Sequence, residues 1–355
     1  MNGTAEEETA SPSWPLWLPI LFSLQNFLGI PLALVGNSMV IWGSFRYHVF
    51  NHSMGEIAVV LVQALAICDL SLVLVKWLTD SVTTILNRWV FGDILCFLSG
   101  TFSHFLAILE FSILASISSY KFYTLLSPIR SRNALTITTA RVYIACLVAC
   151  CALFRFSSVF WGMGSIYLPE MLTCEPEDIH TNHPVWITYA LVAIFGFLVA
   201  PMVITVIANI GIIVIASRYA VTGRPARVAV LTVSCISWLF LLSVSPVVVR
   251  IFLVNMGYTV LPDWYLVLQK QMFWLNVTFN PVCYTVTNRH FKEYIMKTFR
   301  CLHRGGSGSG VISSRGPTIP SGGIVGSPRM RGFSRLQGSP RLQRFECPKD
   351  HDMAK

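Results

Sequence analysis

Apolar residues in this chain come in long unbroken stretches. They do not follow the two-residue period of a half-buried strand or the 3.6-residue period of a surface helix. A helix needs roughly 20 apolar residues to cross a hydrocarbon layer about 30 Å thick. Seven stretches satisfy that, at approximately 17–43, 56–80, 94–125, 139–163, 185–217, 227–254 and 263–287. After the seventh, the pattern turns helical and two-faced: Phe291, Ile295 and Phe299 recur four apart, while Lys292 and Lys297 fall on other faces. This predicts a short helix from Arg289 to Phe299 lying in the membrane interface. Beyond Arg304 the chain is rich in Gly, Ser, Pro and Arg, with Gly-Ser-Pro-Arg at 326–329 and again at 338–341. Such a segment cannot bury a core and is expected to be disordered. The pattern therefore predicts an all-α membrane protein: a seven-transmembrane helix bundle with a short interfacial eighth helix. The tail 1–16 is expected outside, the membrane domain spans 17–300, and 301–355 is a disordered cytoplasmic tail.

Composition agrees. The chain of 355 residues is 54% hydrophobic and 12% charged, against about 25% charged in a soluble domain. The net charge is +9, and 13 of the 26 Lys and Arg lie at or after Arg289. A basic tail beside a membrane meets anionic headgroups, so membrane lipids are expected partners. No folded basic module is present to bind nucleic acid. The linkers split by charge. One set holds Arg46, then Arg130 and Arg132, then Arg218, Arg224 and Arg227; the other holds Arg88 with Asp93, Glu170, Glu175, Glu177 and Asp178. The positive-inside rule then puts the N-terminus outside and the tail inside. On that orientation Asn2-Gly3-Thr4 is an acceptor sequon on the outer side. Asn51-His52-Ser53 would be cytoplasmic, and Asn276-Val277-Thr278 lies within the seventh span. The start carries Glu6, Glu7 and Glu8 with no basic n-region, so the first span, not a cleavable peptide, is expected to act as the signal anchor.

Six of the ten cysteines (Cys68, Cys146, Cys150, Cys151, Cys235 and Cys283) sit in apolar runs as buried thiols, whereas Cys96 and Cys174 flank outer segments. His104, His180, His183 and His290 lack metal-ligand spacing, and Ser, Cys and Asp show no nucleophile pattern, so catalysis is not expected.

Landmarks recur at regular places in the spans. Span one has Gly36-Asn37-Ser38-Met39-Val40, and span two has Leu65-Ala66-Ile67-Cys68-Asp69. Trp89-Val90-Phe91-Gly92 precedes Cys96, and spans five and six carry Pro201 and Pro246. Span seven ends Asn280-Pro281-Val282-Cys283-Tyr284. A buried Pro breaks the backbone ladder, and a nearby Asn can re-satisfy the freed carbonyl, which makes a hinge. In order and spacing these resemble the GNxxV, LAxxD, WxFG and NPxxY motifs of class A (rhodopsin-like) G-protein-coupled receptors, over roughly residues 17–300. The resemblance implies a Cys96–Cys174 disulfide. It implies a plasma-membrane receptor that transduces an extracellular ligand, small molecule or peptide, to a heterotrimeric G protein. Arrestin and kinases are candidate partners at the tail, where serines stand beside arginines.

This sequence departs from the family at several points. The family's Asp-Arg-Tyr position, seven residues before Pro128, reads Tyr120-Lys121-Phe122. Tyr120 cannot hold a cation as the family's Asp does, and Lys121 lacks the planar fork of Arg. CWxP becomes Ser243-Val244-Ser245-Pro246, so its Trp is absent, although Phe240 one turn below is kept. The usual Trp of span four is missing, and Asn209 replaces the usual Tyr of span five. A non-signalling or decoy seven-helix protein is therefore the alternative. A transporter or channel is a third class, without the internal repeats it would show.

Ionisable residues inside the spans are costly and mark candidate sites. Asp69 matches the family's sodium-site carboxylate. Glu110 falls where that site usually has Ser or Thr, Asn276 and Asn280 match further members, and Asn37 adjoins them. Two close carboxylates do not both ionise without a cation: either Na⁺ lies between them as an allosteric ion, or Glu110 is protonated within a polar core. Toward the outside, Lys76 and Asp80 share a face of span two, and Lys270 matches a pocket-facing position of span seven. They either hold an anionic ligand or form an internal Lys–Asp–Lys network. Ser103 stands where aminergic receptors carry Asp, which disfavours a monoamine. Trp274 stands where opsins carry the retinal-binding Lys, which disfavours retinal. His104, Val247, Val248, Phe273 and Trp274 are further candidates for the pocket wall or for plain packing. Arg155 and Arg250 are expected to snorkel to the outer headgroups. Tyr120, Lys121, Phe122, Phe240, Pro246, Pro281 and Tyr284 are the candidate coupling residues.

Overall fold

The structure, a computed structural model, describes residues 17–46, 55–169, 171–176, 184–218, 224–256 and 261–305. Asn2, Asn51, His180, His183 and the Gly-Ser-Pro-Arg repeats lie outside the described residues.

Seven long helices follow one another among these residues. They are Trp17–Arg46, Glu56–Leu86, Gly92–Leu126, Ile137–Phe160, a fifth running from Pro184 to Arg218, Arg224–Asn255 and Asp263–Thr287. Six have the length and apolar composition to cross a membrane. The seventh is more polar because Gln269, Lys270, Gln271, Asn276 and Asn280 lie along it. Span one packs on two and seven, span three on two, four, five and six, and span six on five and seven. Span three is buried along most of its length and forms the axis of the bundle. Two shorter helices accompany the spans. Pro128–Ala134 follows span three, and Arg289–Gly305 follows span seven. Asn288 Oδ1 caps the latter by accepting from the Phe291 N–H at 3.4 Å. Phe291 meets the Tyr284 ring edge-on. From Ile295 onward the chain belongs to a separate compact unit, whose described part is the rest of this two-faced helix.

The prolines explain local side-chain choices. Pro281 removes the donor that would serve the Val277 carbonyl. Asn37 Nδ2 of span one supplies it instead, at 3.3 Å. Gly36 makes this approach feasible, since a Cβ there would lie 2.7 Å from the Pro281 ring. The hinge is thus satisfied from span one and not by its neighbour Asn280. Pro246 likewise frees the Leu242 carbonyl, and Ser245 Oγ donates to it at 2.7 Å. Ahead of Pro201 the helix is widened to a π-helix over Val192–Val199, and span two carries a similar turn at Val73–Trp77. Such turns re-aim side chains and often fall at functional sites. The one in span two holds Lys76 and Trp77.

An antiparallel hairpin closes one end of the bundle. Strands β1 (Ser165–Leu168) and β2 (Thr173–Pro176) pair from Ser165 opposite Pro176 to Leu168 opposite Thr173. The apolar-run pattern does not announce them, because four-residue strands leave no long signature. The disulfide Cys96–Cys174 ties β2 to span three, as the family resemblance implied. The contact is close: a Cβ on Gly100 would lie 2.6 Å from Ser165 Cβ and 3.0 Å from the Cys174 carbonyl oxygen. Gly100→Val should lift the hairpin and cost about 1–3 kcal/mol, the usual cost of overpacking. A lowered unfolding temperature of the purified protein, with the disulfide intact by mass spectrometry, checks this.

Candidate functional site

Four charges meet under the hairpin. Lys76 Nζ lies 3.8 Å from Asp80 Oδ1 and 3.3 Å from Glu175 Oε1, and donates to the Cys174 carbonyl. Lys270 Nζ lies 3.1 Å from Asp80 Oδ2 and donates, at 3.4 Å each, to the Met171 and Leu172 carbonyls. Thr173 Oγ1 donates to Asp80 Oδ1 at 2.8 Å. Two ammonium groups thus face two carboxylates, with no formal charge left over. Of the two arrangements open for Lys76, Asp80 and Lys270, the geometry shows the internal network, with Glu175 of β2 as a fourth member. The Lys76 and Asp80 side chains are 5% and 2% exposed, whereas Glu175 is 34% exposed. Glu175 is therefore the member that solvent reaches. The network welds spans two and seven to the hairpin.

The other pocket candidates surround this cluster unevenly. Trp274 is buried and stacks on Trp77 at 4.8 Å with planes 10° apart, and Trp77 Nε1 donates to Asn26 Oδ1 at 2.8 Å. Asn26, Trp77, Asp80, Lys270, Gln271 and Trp274 line a narrow crevice that has no room for a water-sized sphere. Small-molecule pockets run to roughly 300–1,000 Å³, so this side of the cluster is packed and not hollow. Ser103 turns its hydroxyl to the Gly100 carbonyl of its own helix. Val247 and Val248 are half-buried on span six, just past Pro246. His104 lies on the far side, beside Arg155.

Arg155 corrects an expectation. It does not snorkel: it is 1% exposed and donates to the hydroxyls of Ser158, Thr101 and Ser165.

Deeper in the bundle is a second polar layer. Asn280 Nδ2 donates to Asp69 Oδ2 at 2.9 Å, and Asn276 Nδ2 donates to Glu110. Asn37 joins from span one. All five side chains are at most 1% exposed. Asn37 Oδ1, Asp69 Oδ1, Glu110 Oε2, Asn276 Oδ1 and Asn280 Oδ1 have no hydrogen-bond partner. Both arrangements that the sequence left open stay open: the oxygens are of the type that suits a hard cation such as Na⁺, and a proton on Glu110 would instead let one of them accept from it.

Toward the tail end of the bundle the link between spans three, five and six is uncharged. Ser118 Oγ pairs with Ser237 Oγ at 2.8 Å and accepts from Asn209 Nδ2 at 3.4 Å. Asn209 thus has a role that its mismatch with the family pattern did not suggest. Phe240 packs on Phe111 with ring centres 5.2 Å apart. The Phe122 ring covers Gly211 so closely that a Cβ there would lie 2.3 Å from it. Tyr120 and Lys121 are half-buried. Among the described residues Lys121 makes no ion pair.

Known proteins share the fold. The profile of the 7 transmembrane receptor (rhodopsin family) matches residues 36–284. The chain belongs to that family, which consists of receptors and not enzymes, and it is a multi-pass membrane protein. The human uracil nucleotide/cysteinyl leukotriene receptor is 28% identical over 166 residues, covering 47% of this chain and 40% of the receptor. The 5-hydroxytryptamine receptor 1 of Aplysia californica is 25% identical over 152 residues, covering 43% and 33%. The matched region is thus less than half the length of these relatives. The crystal structure of squid rhodopsin superposes with a TM-score of 0.65 at 17% identity, covering 83% of this chain and 89% of that one.

Removing one member of a buried ion network strands the others. Asp80→Asn should cost about 3–5 kcal/mol, because Lys76 and Lys270 lose a shared carboxylate. Asp80→Asn combined with Lys270→Met should recover part of that loss in a double-mutant cycle of unfolding free energies.

Proposed function

We propose that the chain is a plasma-membrane receptor, N-terminus outside, that passes the binding of an extracellular ligand to a heterotrimeric G protein. One observation carries the proposal: both polar layers are hung on the same helix. Lys270, Trp274, Asn276 and Asn280 lie along span seven, from the hairpin network to the Asn280-Pro281 hinge. A ligand that loosens the network at Lys270 therefore acts on the helix that holds the core. Binding selects the bundle state in which those contacts are rearranged. Outward movement of span six about Pro246 then opens the end where Lys121, Phe122, Ser118 and Asn209 meet the G protein.

The lysines favour a ligand with an anionic group. Such a group has to displace Glu175, the solvent-reached carboxylate of the network, to reach Lys76. A relative named for a nucleotide, itself an anion, is in keeping with this. Ser103 and Trp274 argue against a monoamine and against covalently bound retinal. The basic tail then lies on the cytoplasmic leaflet, with arrestin and kinases as its candidate partners, and Asn2 is a glycosylation site.

A cation fits the deeper layer. Asp69, Glu110, Asn37, Asn276 and Asn280 would hold Na⁺, which would supply the positive charge that five unpaired oxygens call for and favour the state in which the layer is assembled. Replacing N-methylglucamine by Na⁺ at constant chloride should raise the unfolding temperature of the purified protein, and Asp69→Asn should remove that rise.

The second reading, a seven-helix protein that binds ligand without signalling, rests on Tyr120-Lys121-Phe122 and on Val244. GTPγS exchange in membranes supplied with mixed G proteins separates the two. The receptor reading expects exchange above that of membranes without the protein. It also expects Tyr120→Asp, which restores an acidic partner beside Lys121, to lower basal exchange. No exchange with any G protein, with or without ligand, would leave the non-signalling reading.

A further inference from the structure

Pro246 divides span six, which runs from Arg224 to Asn255, and the part before it forms an arm toward the tail end of the bundle. A proline inside a helix is a natural pivot. This pivot is held in place. Ser245 Oγ donates to the Leu242 carbonyl at 2.7 Å, and the Tyr265 hydroxyl of span seven donates to the Pro246 carbonyl, also at 2.7 Å. With the pivot tied to span seven, the movement open to the arm is a rotation about it.

Near its far end the arm meets span seven again. Thr232 Oγ1 and Thr287 Oγ1 lie 2.5 Å apart, and Thr287 Oγ1 donates to the Cys283 carbonyl at 2.6 Å. With the Thr287 hydrogen on that carbonyl, the Thr232 hydroxyl is the donor between the two. The hydroxyls then link span six to a backbone oxygen of the Asn280–Tyr284 segment, two residues past Pro281. Bonds in such a chain strengthen one another. Thr232 is buried, so bulk water does not compete for its side of the link. Thr232 also stands fourteen residues from Pro246, a lever of about 21 Å at the helical rise of about 1.5 Å per residue. A rotation of about 3° at the pivot moves its hydroxyl by about 1 Å, which takes it out of hydrogen-bond range.

We infer that Thr232 and Thr287 form a resting-state lock: a neutral hydroxyl latch that holds the arm of span six against the hinge segment of span seven. The Ser118–Ser237 bond holds the same arm to span three at 2.8 Å, but Ser237 stands nearer the pivot and its partner is not on the hinge segment. Because the latch ends on the Cys283 carbonyl, a shift of the Asn280–Tyr284 segment and release of the arm become one event. The latch as a tie between two helices does not depend on signalling; that its release switches the molecule on rests on the receptor reading.

The test uses the full chain purified in lipid nanodiscs. Amide hydrogen exchange is followed by mass spectrometry, and basal GTPγS exchange is measured on the same preparations with mixed G proteins. Thr232→Val keeps the shape of the side chain and removes the hydroxyl; Thr232→Ser keeps the hydroxyl. Thr232→Val should speed hydrogen exchange in the arm, over residues 230–242, about three- to tenfold, the worth of one net hydrogen bond. Spans one to four should be unchanged, and Thr232→Ser should keep the wild-type rate. If Thr232→Val does not fold, Thr287→Val, at a half-buried position, decides by the same measure. Raised basal GTPγS exchange alongside the faster hydrogen exchange is the result expected of a lock. Unchanged hydrogen exchange in the arm, a rise spread over every span, or no rescue by Thr232→Ser overturns the proposal. So does a wild-type protein that drives GTPγS exchange which the valine variant does not raise. Faster hydrogen exchange in the arm, with no GTPγS exchange from wild type or variant, upholds the latch and sinks the receptor reading instead.

Discussion

Inside a membrane every backbone carbonyl needs a donor from the protein itself, and Pro281 leaves the Val277 carbonyl without one. The repair sets much of the bundle. Asn37 has to reach across from span one, which requires the helices to meet backbone to ring at Gly36 and Pro281. With Asn37 placed there, its own carbonyl oxygen, that of Asn276 and that of Asn280 are brought to the layer where Asp69 and Glu110 project. Asn280 is then free to hold Asp69 instead of repairing its own helix. A single missing N–H thus fixes the register of spans one, two and seven, and assembles the polar core as a consequence.

The polar clusters of this bundle differ in what they lack. The network under the hairpin is closed: two cations, two carboxylates and loop carbonyls. The core around Asp69 and Glu110 holds five oxygens without a hydrogen-bond partner. The cluster at Arg155 holds a guanidinium among neutral hydroxyls, those of Ser158, Thr101, Ser165 and Tyr189. Buried polar groups cost free energy unless they are paired. A closed cluster therefore resists opening, while an open one is stabilised by whatever completes it. Among the described residues, the closed network includes a solvent-reached carboxylate, Glu175. On the receptor reading a ligand's most direct route is to compete there.

Much of this was legible in the sequence because its signals are local. Seven apolar runs need only hydropathy, and Lys76 with Asp80 needs only helical spacing. What was not legible depends on tertiary placement. Glu175 joined the network because a hairpin of two four-residue strands carries it over the bundle, and so short a pairing leaves no pattern of its own. Arg155 read as a snorkelling cation because its distance along the helix permitted that; only the packing of spans three and four against β1 shows it turned inward. The π-turn at Val73–Trp77 was hidden too, since nothing in Val-Leu-Val-Lys-Trp announces an extra residue per turn. Asn37 was seen as a neighbour of the core, but its donation to Val277 required knowing which face of span one meets Pro281.

The altered motifs become intelligible in the same terms. Val244 replaces an aromatic side chain on span six, while Trp77 and Trp274 stack between spans two and seven. These large stacked rings lie on the side of the bundle where Lys76 and Lys270 bind the hairpin. At the tail end, spans three, five and six are linked by the neutral side chains of Ser118, Ser237 and Asn209. Neutral hydrogen bonds of this kind contribute about 0.5–1.5 kcal/mol each, less than a buried ion pair costs to break. The strong constraint on the bundle therefore lies at the hairpin end and the weak one at the opposite end. On the proposed receptor reading, the charged network under the hairpin governs the switch, and spans three, five and six follow it at small cost.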